Sequence, residues 1–200
     1  MKVKKLILGI LMLAPYGTVH SQNGELVDPF QHDLLGKEAP LFKGKMLDGK
    51  DFNLMDYRGK IVVLHFWSLK CFVCYKEILE LNSINNLYKS KNVVVISLMR
   101  ETENELLQAI SIDSGFYKLK KKVFGNDLIQ FQIIPGLSNV MKQYIDEEGS
   151  PNEFIVDEKG ILRGFFSGYM VSYGNPKPME TENYKMLVGK LEWLIEAAKH

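Results

Sequence analysis

Cysteine is almost absent from these 200 residues: there are two, Cys71 and Cys74, three positions apart. So close a pair is a poor staple, because a four-residue ring restrains the unfolded chain by roughly 2 kcal/mol, against about 4.7 kcal/mol for a loop of about a hundred residues. No second Cys pair and no close His pair accompany it, which argues against a structural zinc site built on Cys and His spacing. No metal and no cofactor is expected. Charge of one sign is lacking too, with 25 Lys and Arg against 24 Asp and Glu. Nucleic-acid binding needs a clustered cationic face. The basic run Lys118–Lys122, broken by Leu119, reads instead as a solvated helix face. Long hydrophobic runs are also missing: the amino-terminal apolar stretch, Leu6–Leu13, is far short of the roughly 20 residues of a spanning helix.

What is present suits one ordinary domain, since 46% apolar residues in a chain of 200 can bury a real core. The amino terminus reads separately. Met1–Lys5 is basic, Leu6–Leu13 apolar, and small residues precede a cut after Ser21, which is the pattern of a secretory signal. Retention as a membrane anchor is the alternative, and no cysteine follows to make a lipoprotein. Losing residues 1–21 removes three lysines and no acids, leaving a mature charge of about −2. The expected organisation is a signal at 1–21, a linker at 22–35 and one domain at 36–200. An exported or periplasmic monomer follows. In that oxidising setting a tight Cys pair reads as a reversible dithiol.

Asp48-Gly49 between short alternating runs predicts a hairpin over Lys43–Leu54. Ile61–Trp67 is a run rich in β-branched and aromatic residues, as in a central strand buried on both faces. After the cysteines, Ile78, Leu81, Ile84, Leu87 and Tyr88 recur at helical spacing and predict one buried helix face. Val93–Leu98 reads as a strand, Glu103–Ile112 and Gly115–Phe124 as helices, Phe131–Ile134 as a strand and Ser138–Tyr144 as a helix. Glu153–Val156 and Leu162–Phe166 form a hairpin about Asp157–Gly160, Tyr173–Pro178 is loop, and Thr181–Ala198 is a closing helix. This order predicts an α/β fold with a mixed central sheet covered by helices on both faces and an amino-terminal hairpin. Ligands of such sheets bind beyond the strand carboxyl ends, where Cys71 falls.

With those residues in view, the chain resembles the thioredoxin superfamily, and within it the exported TlpA-like branch that includes reductases of cytochrome c maturation. Gly36–Phe42 and Tyr57–Lys60 resemble that branch's opening segments. Phe66–Glu77, with Cys71-Phe72-Val73-Cys74 inside it, resembles its active-site signature, and Ser150–Asp157 its later block that begins with a cis proline. Three departures stand out: Lys70 replaces a usual aromatic residue, Val73 a frequent proline and Asn152 a common threonine. The resemblance implies a thioredoxin-like fold and disulfide exchange with cysteine pairs of other exported proteins. A membrane electron donor would recharge it, and reduction is favoured over oxidation.

Cys71 is expected as the attacking thiol, its thiolate favoured by the helix amino terminus, and Cys74 as the resolving one. By resemblance Pro151 is cis and faces Cys71, with the Ser150 backbone pairing to a substrate strand. By the same resemblance Glu77 adjusts thiol acidity or moves a proton; a first-turn glutamate answering the helix dipole is an equally good account. His65 lies where the family often buries Asp or Asn beneath the second cysteine. It is the hypothetical proton acceptor for Cys74, beside the simpler reading of a hydrogen-bonded core histidine. Trp67, Lys70, Phe72 and Val73 are expected to border the site and meet substrate, although Trp67 packs equally well in a core. Two other functions stay open. A thiol peroxidase normally carries Pro and Thr where Leu64 and Ser68 stand, and a redox-inert binding module would keep the fold without the chemistry.

Overall fold

The structure, a computed structural model, describes residues 19–20, 26–27, 32–111, 129–145, 151–167 and 181–199. The signal core, the helix expected at 115–124 with its basic run, Ser150 and the loop at 173–178 lie outside the described residues. Near the amino terminus β1 (Val19–His20) pairs antiparallel with β2 (Leu26–Val27). The segment expected as a linker therefore contains a paired strand, and its far end is packed. Leu34 and Leu35 lie against the main core, and the His32 ring sits 4.9 Å from Phe154 and 4.7 Å from Phe165. Apolar and aromatic side chains at 32–35 gain burial there, which a solvated linker would forgo.

The expected hairpin forms from β3 (Lys43–Lys45) and β4 (Asp51–Asn53), closed by Gly49 at φ +83°. The central sheet uses β5 (Ile61–Trp67), β6 (Val93–Met99), β7 (Gln132–Ile134), β8 (Asn152–Val156) and β9 (Leu162–Ser167). Its order is β7-β6-β5-β8-β9, with β7, β6 and β5 parallel and β8 and β9 antiparallel to their neighbours. Every residue of β5 is buried, His65 among six apolar neighbours, as in a strand covered on both faces.

Side-chain alternation along β5 divides the core. Val62, Leu64 and Phe66 face the β3–β4 hairpin and α3 (Ser138–Tyr144), in a cluster with Phe42, Phe52 and Tyr144. Ile61 and Val63 face α1 (Phe72–Tyr88) and α4 (Glu182–Ala197), with Leu81, Ile84, Leu187 and Leu191. The fourth described helix is α2 (Glu103–Ser111). One expectation fails on α1: Leu87 is 58% exposed, while Ile78, Leu81, Ile84 and Tyr88 are buried. Steps of three residues fall about 60° short of a full turn each time. Three such steps carry Leu87 to the side opposite Ile78, whereas Tyr88 returns to the buried stripe.

Candidate active site

β5 ends at Trp67, and the chain must turn at the carboxyl edge of the sheet before α1 begins. Several hydrogen bonds fix that turn. Leu69 N–H donates to Glu101 Oε2 at 2.9 Å, Cys71 N–H to the Ser68 carbonyl at 3.0 Å, and the Tyr75 hydroxyl to the Leu69 carbonyl at 3.1 Å. Cys71 then caps α1: its backbone is extended, and its Sγ accepts from Cys74 N–H at 3.2 Å. The two cysteines are joined, with Sγ atoms 2.02 Å and Cα atoms 5.4 Å apart.

The disulfide is asymmetric in its surroundings. Cys71 is half-buried, whereas Cys74 is 0% exposed and packed with Trp67, Tyr75, Ile78 and Met99. Lys70 is exposed and Val73 half-buried on the same turn. Pro151 is buried and immediately precedes Asn152, the register partner of Phe66, so it lies at the sheet end from which Cys71 departs. Trp67, expected to border the site, is 0% exposed. Its ring lies parallel to that of His65 at 6.1 Å and edge-on to Tyr75 at 5.9 Å. It belongs to the core beneath the site and forms no rim, because alternation turns it to the α1 face.

Beneath α1 the sheet carries an unusual polar row. His65 pairs in register with Ser97 on β6 and with Glu153 on β8, so three adjacent strands set Ser97, His65 and Glu153 side by side on one face. Glu77 joins them from α1. His65 is 0% exposed; its Nδ1 lies 3.2 Å from Ser97 Oγ, and its Nε2 lies 3.7 Å from Glu77 Oε2 and 3.9 Å from Glu153 Oε1. Burial pushes the imidazole down to about 3, which keeps it neutral. Burial, and then the neighbouring Glu153 charge, hold Glu77 well above the usual carboxylate range. Burial also lifts Glu153 to about 7, its contact with Glu77 pulling the other way.

Glu153 and Ser97 were not among the residues singled out from sequence. Glu153 had a visible signal, a charge inside a strand that otherwise runs into Phe154, Ile155 and Val156. The register that sets it against His65 had none. The assembled site offers two chemistries: a disulfide with one approachable sulfur, and a buried group of one imidazole and two carboxylates able to hold a proton or a cation.

The model of the AhpC/TSA family matches residues 35–165 of this chain. A thiol-disulfide oxidoreductase ResA of Bacillus cereus is 44% identical over 143 residues, covering 66% of this chain and 76% of that protein. The ResA of Bacillus thuringiensis subsp. konkukian is 44% identical over 64 residues, a match covering 32% of this chain and only 37% of that relative. A thioredoxin peroxidase of Fasciola hepatica is 30% identical over 135 residues, covering 62% of this chain and 66% of that protein. Among solved structures, a thiol:disulfide interchange protein from Bacteroides sp. superposes with a TM-score of 0.56 at 20% identity, covering 80% of this chain and 90% of that one. At that identity the likeness concerns the fold, which is thioredoxin-like.

Proposed function

Because this chain belongs to the AhpC/TSA family and carries its two cysteines as a disulfide at the head of a helix, we propose that it is an exported thiol–disulfide oxidoreductase. The observation that carries the reading is the unequal burial of the two sulfurs: Cys71 half-buried, Cys74 enclosed. In the reduced protein the Cys71 thiolate attacks one sulfur of a partner disulfide. A Cys71–partner disulfide forms and the partner's other sulfur leaves as thiolate. The Cys74 thiolate then attacks Cys71, the internal disulfide closes, and the second partner sulfur departs. Two electrons pass to the partner. A membrane dithiol donor restores the reduced state by the reverse exchange.

The helix amino terminus favours the Cys71 thiolate, through its dipole and through the Cys74 N–H already aimed at that sulfur. Pro151 and the adjoining Ser150 backbone are assigned to the substrate strand, with Lys70, Phe72 and Val73 as the surface met by the partner. The substrates are cysteine pairs of other exported proteins, those of cytochrome c maturation among them, and reduction is the favoured direction. The ResA relatives support this reading of the activity, and the basic and apolar head of the sequence supports export. Against the peroxidase alternative, Leu64 and Ser68 occupy the places of its usual Pro and Thr, and Leu64 is fully buried in β5.

The test is trapping. Cys74→Ser should leave Cys71 linked to its natural partner in a stable mixed disulfide identifiable by mass, whereas Cys71→Ser should trap nothing. In parallel, a mild dithiol should reduce the wild-type disulfide. A bridge that resists, with a potential below about −300 mV, would mark the inert binding module instead. Rapid peroxide consumption by the reduced protein would move the assignment to the peroxidase.

A further inference from the structure

Three buried atoms converge beneath α1 without a hydrogen-bond partner: His65 Nε2, Glu77 Oε2 and Glu153 Oε1. All three lie within 4.8 Å of one another. The 3.7 Å and 3.9 Å separations from the ring nitrogen are too long for hydrogen bonds. Unpaired buried polar atoms are costly, so each needs an account. With Nδ1–H donated to Ser97 Oγ, Nε2 turns a lone pair toward two carboxyl groups. With the proton on Nε2 instead, neither carboxylate is close enough to accept it. A proton shared between the glutamates satisfies their oxygens and leaves the nitrogen orphaned. Among the described residues no Lys or Arg reaches Glu77 or Glu153 to pair with them.

A cation at the centre satisfies all three atoms together. We propose that His65, Glu77 and Glu153 form a site for a divalent transition-metal ion, with Zn²⁺ the best fit. The donor set of one imidazole and two carboxylates suits zinc, while calcium and magnesium take oxygen alone. Zinc bonds of about 2.0 to 2.2 Å in a tetrahedron put neighbouring donors roughly 3.4 Å apart. The imidazole nitrogen needs to approach each carboxylate by only a few tenths of an ångström. Ser97 holds the other ring nitrogen, the outer contact that orients a ligating histidine. A fourth position is also at hand. Glu77 and Glu153 line a cavity of about 10 Å³, room for about one water, whose wall includes Glu80 and Asn183, and Asn183 Oδ1 has no partner either. Glu77, with 12% of its side chain exposed against 0% for His65 and 4% for Glu153, is the member of the trio that solvent reaches most.

The expectation of no metal rested on cysteine and histidine spacing along the chain. These ligands come from β5, α1 and β8, and no local spacing announces them. The site stands independently of disulfide exchange. Its test uses the full-length protein with the disulfide closed, so that neither sulfur can serve as a thiolate ligand and no turnover is read. After treatment with a chelator, the protein is titrated calorimetrically with Zn²⁺, and with Co²⁺ while its visible bands are followed. One ion per chain is expected. Ser97→Ala should weaken binding about 10- to 100-fold, and Glu153→Gln should abolish the site. Glu77→Gln replaces the latter variant if circular dichroism shows it unfolded. Absence of saturable binding overturns the proposal in favour of a proton held by the trio. Binding unchanged in the Gln variants and in Ser97→Ala overturns it as an adventitious ion only.

Discussion

Asp157 shows how much one carboxylate can organise. Its Oδ1 accepts from Lys159 N–H at 2.9 Å and Ile161 N–H at 2.8 Å, and its Oδ2 from Arg163 Nε at 2.7 Å. These bonds close the β8–β9 turn, which continues through Gly160 at φ +85°, where a Cβ would strike the Arg58 guanidinium. Burial alone would raise the acid, but the bonds from Ile161 and Arg163 hold it below its ordinary value of 3.8. A group depressed in the folded state stabilises above its unfolded pKa and loses that contribution as pH falls through the folded one. Asp157→Asn should therefore cost about 1.5 to 3 kcal/mol at neutral pH. Urea melts of both proteins should show that gap narrowing as the pH is lowered through the acid range. A gap of constant size would show that the charge is not what matters. At this scale the cysteine pair was readable because its meaning is local. Glu153 was not, because its meaning depends on a strand more than eighty positions away in register.

Helix α1 separates two kinds of leucine that sequence periodicity merges. Leu81 is buried among Val63, Ile84 and Leu187, while Leu87 stands largely in solvent. Leu81→Ala should lower stability by about 2 to 5 kcal/mol, whereas Leu87→Ala should stay within about 0.5 kcal/mol. Denaturant midpoints measure both. The contrast explains which elements could be read from sequence. β5 was bounded correctly at Ile61 and Trp67, since an apolar run between a Gly-Lys turn and the Ser-Leu-Lys turn has one interpretation. A helix face must be projected around a cylinder, and a step rule of three drifts off it. The α3 limits, Ser138–Tyr144, matched because a Gly-containing turn precedes the helix and, just past its end, the sequence turns acidic at Asp146-Glu147-Glu148.

At the scale of the whole molecule, the segment just before residue 36 is packed on the core. His32, Leu34 and Leu35 pack on Phe154, Phe165 and the surrounding core. Gly36 N–H donates to the Leu162 carbonyl and Leu162 N–H to the Lys37 carbonyl, each near 2.8 to 2.9 Å, which ties this segment beside β9. A chain begun at residue 32 should melt like one begun at residue 22. A chain begun at residue 36 should lose about 1 to 3 kcal/mol, roughly one or two side chains' worth of burial, and melt several degrees lower. Equal melting temperatures would show that the segment only rests on the surface. The mixed sheet and the helices on both faces were legible because alternating elements admit few arrangements. The polar row across three strands was not, since pairing registers over such separations leave no trace in one chain.

The enclosure of Cys74 has a kinetic corollary. If a guest protein can reach only the outer sulfur, every covalent complex has the same linkage. Its breakdown is then a unimolecular event inside this molecule. The lifetime of such a complex should be independent of how much guest surrounds it, and a clock set by the packing around one sulfur would time every exchange.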